Sequence, residues 1–377
     1  MIGYFTFQIT SISKTASLIR NLKEATPRLS QIKVTAGFDG FVDQIVKIIR
    51  YKEEGIPPVF FETKKEFADY IHEKEGASFS VEVQEQFIKL GGNMPIMANA
   101  LATLGFEVNC IGALGYPQIH PVFHQLSQNC KMFSFANPGY STAYEFHDGK
   151  ILMGHFGELH ASGWEIIKNR IGLNTIVELI NHSELLSFVN WSEIDASTDI
   201  WKGLIREVLP ATTSRRPLAF FDLSDCTKRS DVSVKEALEL IGSISQFAKV
   251  IIGMNRNEAR HICTLIEQES VANDLTEAGK VIFEKLQPYL LVVHSATEAV
   301  AFDSSNLYKR NSFHIKNPLI STGAGDNFNA GFCTAQLLQL DAEASLLFAN
   351  VIAGLYVKNG VSPRMIDAID FLGKLTH

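Results

Sequence analysis

Long runs of lysine or arginine are missing from this sequence of 377 residues, whose 34 basic and 41 acidic residues leave a formal charge of −7. That balance excludes a protein whose main contact is a nucleic-acid backbone or an anionic lipid surface. Continuous apolar stretches of about 18 residues, the length that crosses a bilayer, are missing as well. The opening MIGYFTFQITSISKTASLIRNLKEA has no basic segment leading into an apolar one, so a cytoplasmic location without membrane contact is expected. Cysteine is scarce: Cys110, Cys130, Cys226, Cys263 and Cys333 are odd in number and irregularly spaced, which excludes a disulfide framework and a zinc knuckle. No internal repeat or Gly/Pro-rich linker divides the chain, and no Gly-x4-Gly-Lys-Ser/Thr phosphate loop occurs in it.

A hydrophobic content of 46% is enough for a large core. From about residue 185 the apolar runs Leu185 to Trp191, Leu218 to Leu223, Val250 to Met254 and Leu290 to His294 alternate with longer stretches of helical periodicity. Short continuous apolar strands between helices predict a mostly parallel sheet covered on both faces, an α/β protein. In the first half, Ile32 to Ala36 and Val108 to Leu114 read as buried strands, and Asp148-Gly149 marks a hairpin between Thr142 to Phe146 and Ile151 to His155. With the Lys/Glu-rich stretch Tyr51 to Phe87, that hairpin predicts a small β lid over an active site, about residues 44–88 and 141–157. Residues 1–30 read as a helical extension carrying Ile12, Ala16, Ile19 and Leu22 at helical spacing. Residues 31–377 read as one domain.

The segment Ile320-Ser321-Thr322-Gly323-Ala324-Gly325-Asp326 is a glycine-rich turn running into an apolar helix. Glycines let backbone N–H groups converge, and the helix N-terminus adds about half a positive charge, which makes an anion hole of Gly323, Ala324 and Gly325. A carboxylate beside an anion hole repels a phosphate, yet it fits a base that takes a proton from a hydroxyl attacking that phosphate. The plain alternative is an acid favoured by the helix dipole. A dinucleotide fingerprint is the other rival, but Gly323-x-Gly325-x-x-Phe328 lacks its third glycine. A second turn, Gly91-Gly92-Asn93, precedes Met94, Met97, Ala98, Leu101 and Leu104 at helical spacing, with Gly105 as the stop.

These two glycine-led helices, in this order, resemble the signature regions of the ribokinase-like (PfkB) carbohydrate kinases. Asn255-Arg256-Asn257-Glu258 resembles the family's Asn-x-x-Glu motif and Phe41-Val42-Asp43 its substrate aspartate, so the likeness covers about residues 32–364. The resemblance implies a three-layer α/β/α fold and transfer of the γ-phosphate of MgATP to a hydroxyl, a primary one, of a sugar or sugar derivative. It implies Asp326 as catalytic base, Glu258 as an indirect Mg2+ ligand through water, and Asn255, Thr322 and Ser295 on the nucleotide side. Asp43 would hold the acceptor with Gly91, Gly92 and Asn93. Asp39 is the rival, because Asp43 stands one residue farther from Gly37 than the family's usual spacing. A homodimer through the lid is the arrangement of copies it allows.

Three departures from the pattern bear on function. Ile320 stands where an aspartate of the family's monovalent-cation site is usual, so little dependence on K+ is expected. Ile96 stands where a sugar-binding asparagine is usual. His294-Ser295-Ala296 replaces the nucleotide-side Thr-x-Gly. A nucleoside kinase and a catalytically degenerate regulatory protein of the same fold stay open as alternatives.

Overall fold

The computed structural model describes residues 2–212, 216–267 and 274–376, with side chains from residue 13 onward other than that of Glu267. Among the described residues fourteen strands run in chain order as β1 (Lys33–Phe38), β2 (Phe41–Glu53), β3 (Ile56–Phe60), β4 (Val83–Gly91), β5 (Glu107–Gly112), β6 (Cys130–Ser134), β7 (Gly139–Phe146), β8 (Gly149–His155), β9 (Leu185–Val189), β10 (Leu218–Asp222), β11 (Lys249–Asn255), β12 (Leu290–His294), β13 (Glu298–Phe302) and β14 (Leu307–Asn311). Nine of them form one sheet in the order β14-β13-β12-β11-β10-β9-β1-β5-β6. From β12 to β6 every neighbour pair is parallel, and β13 and β14 add an antiparallel edge.

Parallel strands need crossover helices, and helices on both faces bury both sides of each strand. Accordingly β9 is buried along its whole length. On one face Phe332 and Phe348, from the helices Ala324–Leu337 and Ala342–Asn359, pack with Met97 and Leu101 of the helix Asn93–Leu104. On the other, Trp164, Trp201 and Ile241 pack against Phe188 and Phe221. The result is the three-layer α/β/α arrangement expected from the alternating pattern. In the N-terminal helix Ile2–Ala25 the inward face carries Thr15, Leu18 and Leu22, whereas Ala16 is exposed. The expected stripe is thus rotated, because docking on the C-terminal helices selects the face; Ile12 lies among the residues whose side chains are not described.

A second, smaller sheet is built on β2, which pairs antiparallel with β3 and β4 and parallel with β7, itself paired with β8. These strands hold most of the segments 44–88 and 141–157, together with a helix, Lys64–Glu73, that periodicity did not single out. Thr63 caps that helix by accepting from the Glu66 amide, and the hairpin residue Asp148 accepts from the Lys64 amide at 3.0 Å. Under the helix, Ile48, Phe61 and Phe146 make a core of their own. The other face is open to solvent, with Phe87 52% and Leu152 64% exposed.

Among the described residues no helix is long and apolar enough to cross a membrane.

Candidate active site

The polar residues gather where parallel strands end. Their C-terminal ends carry Asn190 just after β9, Asp222 on β10, Asn255 on β11 and His294 on β12. This edge, where the helix N-termini also point, is the usual place for a ligand in an open α/β sheet.

Asp326 sits in the first turn of Ala324–Leu337, 7% exposed. Burial, joined by the negative charges of Asp222, Asp39 and Glu258, holds its carboxyl well above the ordinary range. The turn before it depends on Gly323, whose φ of 89° is left-handed. A Cβ there would lie 2.7 Å from the Tyr356 hydroxyl. The Ala324 amide is used inside the turn, donating to the Ser321 carbonyl at 3.1 Å. The Gly325 amide, one residue into the helix, has no carbonyl four residues back within the helix and is free for a ligand.

Glu258 opens the helix Arg256–Glu267 and accepts from the Asn255 amide at 2.7 Å and the Asn255 side chain at 2.5 Å. Even so, burial and the facing charge of Asp222 push it up to about 8. Asp222, raised by the same burial, accepts from the Ser224 amide and the Asn329 side chain, both at 2.8 Å. Two buried carboxylates facing each other without a cation are an incomplete arrangement that a divalent ion relieves. Among the described residues no three acidic, histidine or cysteine side chains converge as direct ligands.

Asp39 and Asp43 have different surroundings. Asp39 is fully buried and accepts from the amides of Asn93 and Met94, each at 2.8 Å, and from the Asn190 side chain at 2.5 Å. Its carboxylate is spent on the N-terminus of the helix Asn93–Leu104, and burial raises it to about 7. Gly92 permits this with a φ of 93°, since a Cβ would lie 2.6 Å from an Asp39 oxygen. Asp43 is only partly buried and accepts no hydrogen bond of this kind. It stands opposite Lys89 across β2 and β4, and burial raises it against the pull of Lys89 and Lys150. A Cβ at Gly91 would lie 2.3 Å from the Asp43 carboxylate, so glycine there makes room for that side chain. Asn93 joins this group by donating to the Ser224 hydroxyl at 2.9 Å.

Beyond the glycine turn lies a cavity of about 440 Å3, lined by Gly325, Phe328, His294, Ser295, Phe313 and Asn350 among others. His294 rests on the Phe328 ring at 4.7 Å, and burial lowers it to about 4, so the imidazole is neutral near pH 7. The Ser295 hydroxyl is engaged in its own turn, accepting from the Glu298 amide at 3.1 Å. Thr322 turns its carbonyl to Tyr356, whose hydroxyl donates at 2.9 Å. Ile96 packs toward Gly323, its Cγ2 3.2 Å from the place of a Cβ there. An apolar contact to the glycine turn thus stands where a sugar-binding amide was looked for.

Asp222, Asn190, Asn329 and Tyr356 were not singled out from the sequence. The only signal for the first two is a polar residue directly after an apolar strand, which many strands share. Asn190 adds a left-handed φ of 62°, invisible in the sequence.

A family model described as prokaryotic ketohexokinase matches residues 13–374. The chain is 27% identical over 344 residues to a ketohexokinase of Haloferax volcanii, covering 90% of this chain and 91% of that one. It is similar in fold to an E. coli ribokinase II solved with ATP and Mg2+, at a TM-score of 0.61 and 14% identity over 92% of this chain and all of that one. It is also similar to an Arabidopsis thaliana ribokinase complexed with ribose and ATP, at a TM-score of 0.60 and 16% identity over 92% and 98% of the two chains.

Proposed function

The chain belongs to the prokaryotic ketohexokinase family, as an ATP- and Mg2+-using carbohydrate kinase, and on that premise we propose that it phosphorylates a primary hydroxyl of a ketohexose with Asp326 as base. The observation that carries this reading is a buried carboxylate, raised by burial and by its acidic neighbours, in the first turn of a helix whose Gly325 amide is free. Sugar phosphorylation, rather than nucleoside phosphorylation or a purely regulatory role, is what the family model and the Haloferax volcanii relative have in common.

Asp43 holds the acceptor by two of its hydroxyls, because an ionised carboxylate only accepts and can receive two O–H donors. Gly91, Gly92 and Asn93 wall that pocket, and Asp39 keeps the Asn93–Leu104 helix in place behind it. The nucleotide lies in the cavity beyond the glycine turn, which Ser295 and Ser321 line, with Thr322 the next residue of the turn. As the acceptor oxygen bonds to the γ-phosphorus, the bond from that phosphorus to the β,γ-bridging oxygen breaks, and the hydroxyl proton passes to Asp326. The Gly323 to Gly325 turn stabilises the charge that develops on the phosphoryl oxygens. Glu258, oriented by Asn255 and faced by Asp222, would hold Mg2+ through water, and the ion supplies charge neutralisation at the phosphates. With Ile320 in place of a cation-site acid, the reaction depends little on K+.

The second sheet is read as the lid, and a second copy of this chain as the cover for its exposed apolar face around Phe87 and Leu152. An apolar face of this kind on a soluble enzyme is ordinarily an interface. A reducing, cytoplasmic setting suits five buried cysteines that form no disulfide among the described residues.

Asp326→Asn is expected to keep the Kd for MgATP and for the sugar and to lower kcat by roughly two to four orders of magnitude. The raised carboxyl binds its proton as pH falls, and the base is lost with it. In the unmodified enzyme, then, the acid limb of kcat/KM, which reports the free enzyme, lies above the ordinary carboxylate value of 3.8. Near-normal turnover in Asp326→Asn removes this residue from the mechanism. Asp43→Ala is expected to raise the KM for fructose steeply and leave the KM for ATP unchanged, the lost contact costing about 1–3 kcal/mol or more. Asp39→Ala, by contrast, should lower the unfolding temperature before it touches KM. The opposite assignment of the two defects would move the acceptor to Asp39. Sedimentation velocity should find a dimer that Phe87→Lys with Leu152→Lys converts to monomer; a monomeric unmodified protein contradicts the covered face.

A further inference from the structure

We propose that Tyr356 is a positioning residue for phosphoryl transfer, its hydroxyl fixing the Thr322–Gly323 turn so that the Gly325 amide meets the transferring group. This rests on the reading of the glycine turn as the anion hole.

Tyr356 lies in the last turns of the helix Ala342–Asn359, 7% exposed, and donates its hydroxyl to the Thr322 carbonyl at 2.9 Å. The next residue of that helix, Val357, accepts at its carbonyl from the Leu319 amide at 2.9 Å and the Ile320 amide at 3.4 Å. The strand of chain entering the glycine turn is therefore tied to this helix at two successive residues. The remaining bonds of the turn are local: the Ala324 amide to the Ser321 carbonyl at 3.1 Å, and the Asn327 amide and side chain to the Gly323 carbonyl at 3.1 and 2.9 Å. Local bonds set the shape of the turn but not its position relative to the acceptor pocket. The tie to Tyr356 sets the position.

Close approach acts in the same sense. A Cβ added at Gly323 would lie 2.7 Å from the Tyr356 hydroxyl and 3.2 Å from Ile96 Cγ2. Glycine thus lets the turn sit between the helix that carries Tyr356 and the helix that begins at the acceptor pocket, both packed in the same core.

The chemistry of the clamp matters for the base. Burial and the carboxylates of Asp326 and Asp43 push the phenol up to about 12, so it remains a neutral donor wherever the enzyme is assayed. A lysine or a metal ion holding the same carbonyl would bring a positive charge beside Asp326 and lower its proton affinity. A phenol anchors the turn and leaves Asp326 basic. This gives the hydroxyl a role in kcat that is distinct from filling space.

Tyr356→Phe keeps the ring and removes one O–H. We expect kcat to fall about three- to tenfold, the worth of one such hydrogen bond, with KM for fructose and ATP unchanged and the unfolding temperature lowered only by the loss of that one bond. The diagnostic readout is binding. MgADP should bind the variant as it binds the unmodified protein, whereas MgADP with aluminium fluoride and fructose, where the fluoride stands in for the transferring group, should bind more weakly by the same factor as kcat. Tyr356→Leu should reproduce the fluoride defect and add a loss of thermal stability. Unchanged kcat and fluoride binding in Tyr356→Phe, or an equal loss for MgADP alone, overturns the proposal. Failure of the unmodified protein to bind the fluoride complex at all would refute the anion-hole reading itself, an outcome distinguishable from both.

Discussion

Four carboxylates, those of Asp39, Asp222, Glu258 and Asp326, are buried at one edge of the sheet close enough to repel one another. Burial disfavours a charged carboxylate, and like charges nearby disfavour it further. The fold accommodates the cluster with neutral donors: amides at the start of two helices for Asp39 and Glu258, and an asparagine side chain each for Asp39, Glu258 and Asp222. None of these donors carries a charge, so the proton affinity of Asp326 stays high and the site retains a demand for positive charge. In the proposed reaction a nucleotide with its divalent ion would meet that demand. The same feature raises Asp326 toward the proton affinity that the proposed base needs.

The arrangement depends on sheet order. Asn190, Asp222, Asn255 and His294 are far apart in the chain, and they become neighbours because β9, β10, β11 and β12 lie side by side and parallel. The two glycine-led helices enter from the same edge. The helix starting at Asn93 carries the residues of the proposed acceptor pocket and the one starting at Ala324 carries the proposed base, and they pack on each other within one core. The second sheet then supplies Asp43 from β2 and Lys89 from β4, opposite each other. In that proposal an element that hangs off the main sheet completes the pocket.

The glycine turn with Asp326 was readable in the sequence because its chemistry needs consecutive residues: glycines, an acid and an apolar helix. The alternation of buried strands and helices was readable for a similar reason, since periodicity is local. Asp222, Asn190 and Tyr356 were not, since each is one polar residue whose partners are supplied by a different strand or helix. The choice between Asp39 and Asp43 was open because Asp43 stands one residue farther from Gly37 than the family's usual spacing. It is a tertiary matter: one carboxylate is saturated by the helix at Asn93, and the other faces Lys89 with free acceptor capacity. The helix Lys64–Glu73 was missed because its packing is confined to a three-residue core with Phe67 and Tyr70 around it.

In the proposed reaction one carboxylate, beside one freed amide, meets the hydroxyl that attacks the phosphate. A crystal structure of the protein with fructose, MgADP and aluminium fluoride tests this most directly. The account predicts a primary hydroxyl of the ketose within about 2.6–3.2 Å of the Asp326 carboxylate, the fluoride against the Gly325 amide, and Asp43 receiving two other hydroxyls. A ketose bound away from Asp326, or a fluoride centre held by groups other than the Gly323 to Gly325 turn, would contradict it.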